Sequence, residues 1–297
     1  MKRIISAIVS AAMAFAVFGA VSFDVNSVCA EPYSDNAVKL ESNAPSQKFI
    51  TEAMLPYQYS ELSDQAQKCY IDIRKAIAAH KNSIKISSRI SEKTLIRIAD
   101  IMQSQDPLVF DNASIEFNGV STDNAYARLT YAYTKGVSDS TLKQVIKEAD
   151  KVIAAFAPDA DEYAKFLAVH DYIVNSTEYD ETDSKPFVRT VYGPLVLGRG
   201  VSQGYAYAFQ FISIKAGLTS IIVSGTDADG NLHTWNKVKL SGEWYNIDCS
   251  QDDLGACYDY FMVNDEGMQQ IFTESRTDYP AATDDSMAYS KKFSDEN

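Results

Sequence analysis

Histidine, cysteine and tryptophan are scarce in this chain: three, four and two in 297 residues. So few cysteines exclude a disulfide-built scaffold. No Cys/His cluster has zinc spacing. Cations are also short. Lys and Arg number 27 against 40 Asp and Glu, a formal charge of −13. That balance argues against a nucleic-acid partner, which needs clustered cations to displace counterions, and against an anionic membrane surface. Thirteen Gly and eight Pro are too few for a collagen-like or low-complexity chain. No internal repeat and no phosphate-cradling Gly loop is present, and the sequence implies no cofactor and no metal.

What is there begins with Met1-Lys2-Arg3, a short basic lead, followed by apolar and small residues from Ile4 to Phe23. Val28-Cys29-Ala30 supplies small or apolar residues at the −3 and −1 positions. The segment reads as a secretory signal peptide cleaved after Ala30, so the expected destination is extracellular, with no retained membrane anchor. Cleavage leaves Cys69, Cys249 and Cys257, an odd number, so at least one thiol stays free. The spacing permits a Cys249–Cys257 bridge but does not require one.

The mature part divides by period. Leu62, Ala66, Cys69, Tyr70, Ile73 and Ile77 recur at helical spacing between Ser60 and His80. Ile84 to Ser87 alternates like a strand, and Ser91 caps a helix with Leu95, Ile98, Ile101 and Met102 on one face. Ile115–Phe117 and Tyr126–Tyr133 read as antiparallel strands. Helices follow from Ser138 to about Phe156 and from Asp159 to Thr177, then a polar loop from Glu178 to Lys185. A short helical run, Thr190 to Leu197, is stopped by Gly198-Arg199-Gly200, and Ser202 to Ala216 is an aromatic-rich helix. The period then changes to two in Ser220–Ser224, Leu232–Leu240 and Glu243–Cys249. Helices first and an antiparallel sheet after is the α+β pattern. We expect a signal peptide over 1–30, an N-terminal α+β accessory region over 31–158 and a second domain over 159–297.

Nucleophilic catalysis needs a nucleophile, a base within hydrogen-bond reach and a group orienting the base. His80 ends a helix beside Lys81 and reads as a solvated residue. His170 lies on an apolar stripe and reads as a satisfied core histidine. His233 is different. If Ser241-Gly242 is a two-residue hairpin turn, Leu240 pairs with Glu243, Trp235 faces Asp248 and His233 faces Ser250. His233, Trp235, Asp248 and Ser250 then share one face, with His233 and Asp248 diagonal neighbours. Gly200-Val201-Ser202-Gln203-Gly204 places Ser202 where a Gly turn meets a helix N-terminus, whose unpaired N–H groups and dipole favour an anion. The pentapeptide fits G-x-S-x-G, but no His follows His233 and the α/β-hydrolase order of Ser, acid, His fails. Gln203 is a candidate donor beside the reacting centre or a helix cap, and the Trp235 N–H a candidate oxyanion donor. Cys69, Cys249 and Cys257 read as structural. Asp227-Ala228-Asp229-Gly230-Asn231 lacks the distant Glu of a calcium loop and reads as a strand-connecting turn.

Several segments together resemble the bacterial transglutaminase-like superfamily: Val169-His170-Asp171-Tyr172-Ile173, Tyr192-Gly193-Pro194-Leu195, Gly200 to Ala206, Leu232 to Val238, Trp244 to Asp248 and Tyr258-Asp259-Tyr260-Phe261. The resemblance runs from about Tyr163 to Asp265. It implies a papain-like α+β core whose triad is Cys-His-Asp, with His233 as base and Asp248 as orienter. Where the family pattern has the nucleophilic Cys, this chain has Ser202. A Cys beside a His ionises readily, with pKa values as low as about 3–4 in papain-like sites, whereas a hydroxyl must lose its proton during attack. Two expectations follow. One is an exported pseudoenzyme that binds polypeptide or cell-wall peptide. The other is an acyl-transfer enzyme of transglutaminase, peptidase or amidase type working through Ser202, His233 and Asp248.

Overall fold

The computed structural model describes residues 54–87, 89–109, 113–119, 125–182 and 186–293. The expected signal peptide and its cleavage site lie outside the described residues. Among the described residues no helix is long and apolar enough to cross a membrane.

The first unit packs helices α1 (Asp64–Ala78) and α2 (Glu92–Ser104) on a three-stranded sheet of β1 (Ser83–Lys85), β2 (Ala113–Asn118) and β3 (Tyr126–Tyr131), in the order β1-β3-β2. Ser91 caps α2 as its position suggests, its Oγ accepting the Thr94 N–H at 3.2 Å. The apolar face read from α1 and α2 is the face buried here, with Tyr70, Ile73, Leu95, Ile98 and Met102 all inside. His80 departs from expectation. It is half-buried, adopts φ of 57°, and stacks on Tyr131 with ring centroids 3.7 Å apart. Tyr131 comes from a sheet strand 51 positions along the chain, a contact that helical spacing cannot reveal.

Helices α3 (Lys135–Ala154) and α4 (Glu162–Ser176) lead into the main core. Asp161 caps α4, its Oδ1 taking the Ala164 N–H at 2.8 Å, so the helix opens at Glu162, three residues after the expected Asp159. Two residue pairs, β4 (Glu178–Tyr179) and β5 (Arg199–Gly200), form a parallel bridge inside stretches that read as loop. Helix α5 (Ser202–Lys215) follows and is buried almost all round, from Gly204 to Ser213. A helix apolar on every side belongs in a core, and here it is the central rod.

Against α5 lies a five-stranded antiparallel sheet, in the order β10-β6-β7-β8-β9. Its strands are β6 (Thr219–Thr226), β7 (Leu232–Leu240), β8 (Glu243–Ile247), β9 (Phe261–Val263) and β10 (Thr273–Glu274). Alternation divides its two faces. Ile222, Val238, Leu240, Tyr245 and Ile247 join the core built by α3, α4 and α5. Ile221, Val223, Trp235 and Trp244 pack on the other side with Met268, Phe272 and Ala282. The β6–β7 connection is a tight Asx turn. The Asp227 carboxylate accepts from the Asp229 and Asn231 N–H groups and from the Asn231 amide, which holds its pKa below the usual range.

Two side-chain bridges tie the first unit to the main sheet. Gln105, at the end of α2, donates to the Ile222 carbonyl and accepts the Ile222 N–H, both at 2.9 Å. Arg276, just past β10, donates to both carboxylate oxygens of Asp100 at 2.9 and 3.0 Å.

Candidate functional site

The hairpin sets the site. Ser241 and Gly242 both take positive φ, 52° and 97°, as a tight two-residue turn requires, and Leu240 pairs with Glu243. The ladder continues to Asn236↔Ile247 and stops there. The expected Trp235↔Asp248 and His233↔Ser250 pairs do not form, because the chain curls away after Ile247. Asp248 is an N-cap rather than a strand residue: its Oδ1 accepts from Ser250 N–H, Ser250 Oγ–H and Gln251 N–H at 3.0, 2.7 and 3.1 Å. Asp is among the best residues for closing off helix N–H groups, so it wins over one more ladder rung. Its backbone N–H donates instead to the Tyr260 carbonyl at 3.0 Å.

The curl brings Asp248 onto His233. Asp248 Oδ2 lies 2.5 Å from His233 Nε2, and both residues are buried. The charge-assisted bond fixes the ring through Nε2 and leaves Nδ1 with no hydrogen bond among the described residues. Phe272 lies flat on the imidazole, centroids 3.9 Å apart and planes within 4°. Trp235 stacks beyond it at 6.1 Å. The Trp235 N–H donates to Asn246 Oδ1 at 2.9 Å, so this N–H is committed to the sheet and not to an oxyanion.

Ser202 occupies the first position of α5, buried, after the extended N-cap Val201. Val201 N–H donates to the Val188 carbonyl at 3.1 Å. Gly204 allows this approach, since a Cβ there would lie 2.3 Å from the same carbonyl. No hydrogen bond joins the Ser202 hydroxyl to His233 among the described residues. The Ser202 backbone N–H, one of the donors an oxyanion would use, goes to the Tyr179 phenol oxygen. Burial, and secondly the Asp248 charge, push the Tyr179 phenol up, while the Ser202 N–H pulls it back. Gln203 Nε2 donates to the Tyr207 hydroxyl at 3.0 Å, along its own helix.

The remaining candidates fall in place. Cys69 and Cys249 are free and buried, so the Cys249–Cys257 bridge does not form. Burial pushes Cys69 up to about 11 and Cys249 well above the ordinary thiol range, so neither substitutes for a nucleophile. No group of acidic, His or Cys side chains among the described residues has the makings of a metal site.

His170 is buried, as its stripe suggests, but it is also charged. Nδ1 lies 3.1 Å from Asp171 Oδ1 and Nε2 lies 2.9 Å from Asp252 Oδ2. Burial opposes the imidazolium, yet the two carboxylate hydrogen bonds prevail and raise its pKa to about 9. Burial raises Asp252 to about 6 against the pull of His170. A raised folded-state pKa gives stability that is present below the unfolded value and lost as pH climbs through the folded one. The denaturation midpoint should therefore fall between pH 6.5 and 9. The measurement is a urea titration repeated across that range; a level profile there contradicts a buried imidazolium.

Tyr179, Phe272 and Asp252 are the site neighbours that the sequence did not disclose. Tyr179 stands in a two-residue strand, and Phe272 reaches His233 from 39 positions downstream, so neither had a periodic signal.

A buried helix that opens at Ser202 and an antiparallel sheet that carries His233, with Asp248 capping the turn just past it, together make a papain-like fold. Residues 150–249 match the profile of the Transglutaminase-like superfamily. Among curated proteins nothing matches the chain. Six solved chains are similar, three of them as follows. One is described as a candidate cysteine protease from Cytophaga hutchinsonii, with 12% identity and a TM-score of 0.34 over 54% of this chain and 70% of that one. A structure described as a TGase has 14% identity and a TM-score of 0.33 over 47% of this chain and 44% of its own. A candidate protease from Parabacteroides distasonis has 12% identity and a TM-score of 0.29 over 43% of this chain and 32% of its own.

Proposed function

We propose that this chain is an exported transglutaminase-like protein whose site is catalytically impaired and which binds polypeptide or cell-wall peptide. One observation carries the reading: the His233–Asp248 pair is complete, with His233 Nδ1 unclaimed, while the group at the helix start is a hydroxyl. A thiol there would share its proton with the imidazole before substrate arrives. Serine cannot, and its shorter bonds to carbon place oxygen off the position that sulfur would take; small misplacements of a nucleophile cost orders of magnitude in rate. The acidic balance disfavours nucleic acid, and the basic lead with its apolar run supports export.

A second reading is favoured by the same unclaimed Nδ1. Ser202 would attack a carboxamide or peptide carbonyl, passing its proton to His233, with Asp248 steadying the imidazolium. A serine-directed fluorophosphonate separates the two. The impaired reading expects no stoichiometric labelling of Ser202. Labelling that disappears in His233→Ala establishes the serine enzyme instead. Ser202→Cys is the complement: iodoacetamide should modify it far faster than a surface thiol, and ammonia release from glutamine-containing peptides should appear. An unreactive introduced thiol overturns the His233–Asp248 assignment altogether.

A further inference from the structure

Behind the candidate triad lies a second His–carboxylate pair that the acyl-transfer reading does not use. Asp252 sits one helical turn after Asp248, and its N–H donates to the Asp248 carbonyl at 3.1 Å. Its carboxylate works in two directions. Oδ1 accepts the Tyr260 N–H at 3.0 Å, and Oδ2 meets His170 Nε2 at 2.9 Å. Tyr260 is also the residue whose carbonyl holds the Asp248 N–H. The turn carrying Asp248 is thus closed on itself at Tyr260 and anchored to α4 through His170. The next residue anchors it to the helix of Ser202: Asp253 Oδ2 accepts the Tyr205 hydroxyl at 2.6 Å.

We propose that His170 is a positioning residue for the candidate triad, clamping Asp252 so that the turn headed by Asp248 presents its carboxylate to His233 Nε2. The inference rests on reading Ser202, His233 and Asp248 as an acyl-transfer site and adds a fourth residue that acts through Asp248 without touching substrate. A neutral imidazole donates from one nitrogen and accepts at the other, whereas His170 meets a carboxylate acceptor on each, which both ring nitrogens can serve only as donors. The groups around it are those two, Asp171 and Asp252, the Tyr258 ring at 5.3 Å and the Phe261 ring at 5.1 Å. Tyr258 is itself hydrogen-bonded to Asp171, and Cys249 is the nearby thiol on the turn. Full burial and two ionic partners make the clamp rigid, because an unpaired charge there has no water to turn to. Orientation of a base by a group behind its acid is the logic of outer-shell support in preorganised sites.

The test uses the full chain with Ser202→Cys as reporter and compares it with the same chain carrying His170→Asn, Asp252→Asn or Asp171→Asn. The alkylation rate with iodoacetamide, followed from pH 4 to 10, gives the apparent pKa of the introduced thiol, and thermal unfolding gives stability. Cys69 and Cys249 are buried, and alkylation of the parent chain, Cys257 included, is subtracted as background. The reporter alone should titrate well below an ordinary thiol, roughly 8.5. His170→Asn and Asp252→Asn should move the profile back toward that value and slow alkylation at pH 6 by roughly tenfold or more. Asp171, partly exposed, should give a smaller shift in the same direction. Should the clamp variants lower the unfolding midpoint and leave the pH profile in place, His170 is merely structural and the proposal falls. An ordinary profile in the reporter itself instead defeats the acyl-transfer reading on which the proposal rests. If His170→Asn does not fold, Asp171→Asn decides in the same terms.

Discussion

Asp248→Ala should lower the thermal midpoint by on the order of 10 °C, the largest stability loss expected from a single change in the site. The carboxylate is 1% exposed and is shared among four donors: His233, two backbone N–H groups and the Ser250 hydroxyl. Truncation strands all four at once. Removing one partner of a buried charged pair costs about 3–5 kcal/mol. At about 2–4 °C per kcal/mol for a chain of this size, that is the shift stated. Asp248→Asn is the informative partner, because its amide oxygen can still accept from the turn or from the ring. It should lose less than half as much. A scanning-calorimetry midpoint within 2 °C of the parent for Asp248→Ala would mean that solvent reaches the pair freely, and the burial argument would fail.

Gly204→Ala should destabilise by about 2–3 kcal/mol, although alanine is the better helix former by about 1 kcal/mol. The added Cβ meets the Val188 carbonyl at 2.3 Å and Pro194 Cδ and Cγ at 3.3 Å. Backbone cannot step aside as a flexible side chain can. Val188 also receives the Val201 N–H, so any retreat drags the start of α5 and Ser202 with it. Gly136→Ala is the control. That glycine lies in α3 with nothing within 4 Å of a new Cβ, and the same substitution should stabilise by a few tenths to about 1 kcal/mol. Opposite signs in a urea series identify close approach as the reason for the glycine; equal signs would discard it.

The G-x-S-x-G spelling was therefore readable but not for its usual meaning. Gly204 is a contact glycine in a papain-like core, and an acid, Asp248, that follows His233 with no later His already argued against the hydrolase elbow. Hairpin register was legible as far as Asn236↔Ile247 because Ser241-Gly242 leaves a two-residue turn little choice, and it brought Asp248 near His233, although the two rungs expected beyond it do not form. The sequence concealed how the contact is made. A capping carboxylate ends β8 two residues early, a competition between local hydrogen bonds that alternation cannot weigh. Tyr179 on the Ser202 N–H and Phe272 on the imidazole come from strands of two residues or from loops beside them, too short for any period. His170 was placed correctly in the core by its stripe, but its charge depends on Asp252, 82 positions away.

Gln105 carries a consequence beyond the site. Strand β10 covers only Thr226 and Gly225 at one end of β6, and the Gln105 amide serves Ile222 further along as a neighbouring strand would. A side chain contributed from the first unit thus masks an otherwise adhesive border. Proteolysis or truncation that strips away that unit would uncover a template for pairing between molecules, so self-association, not mere loss of fold, is the failure to anticipate when this protein is cut short.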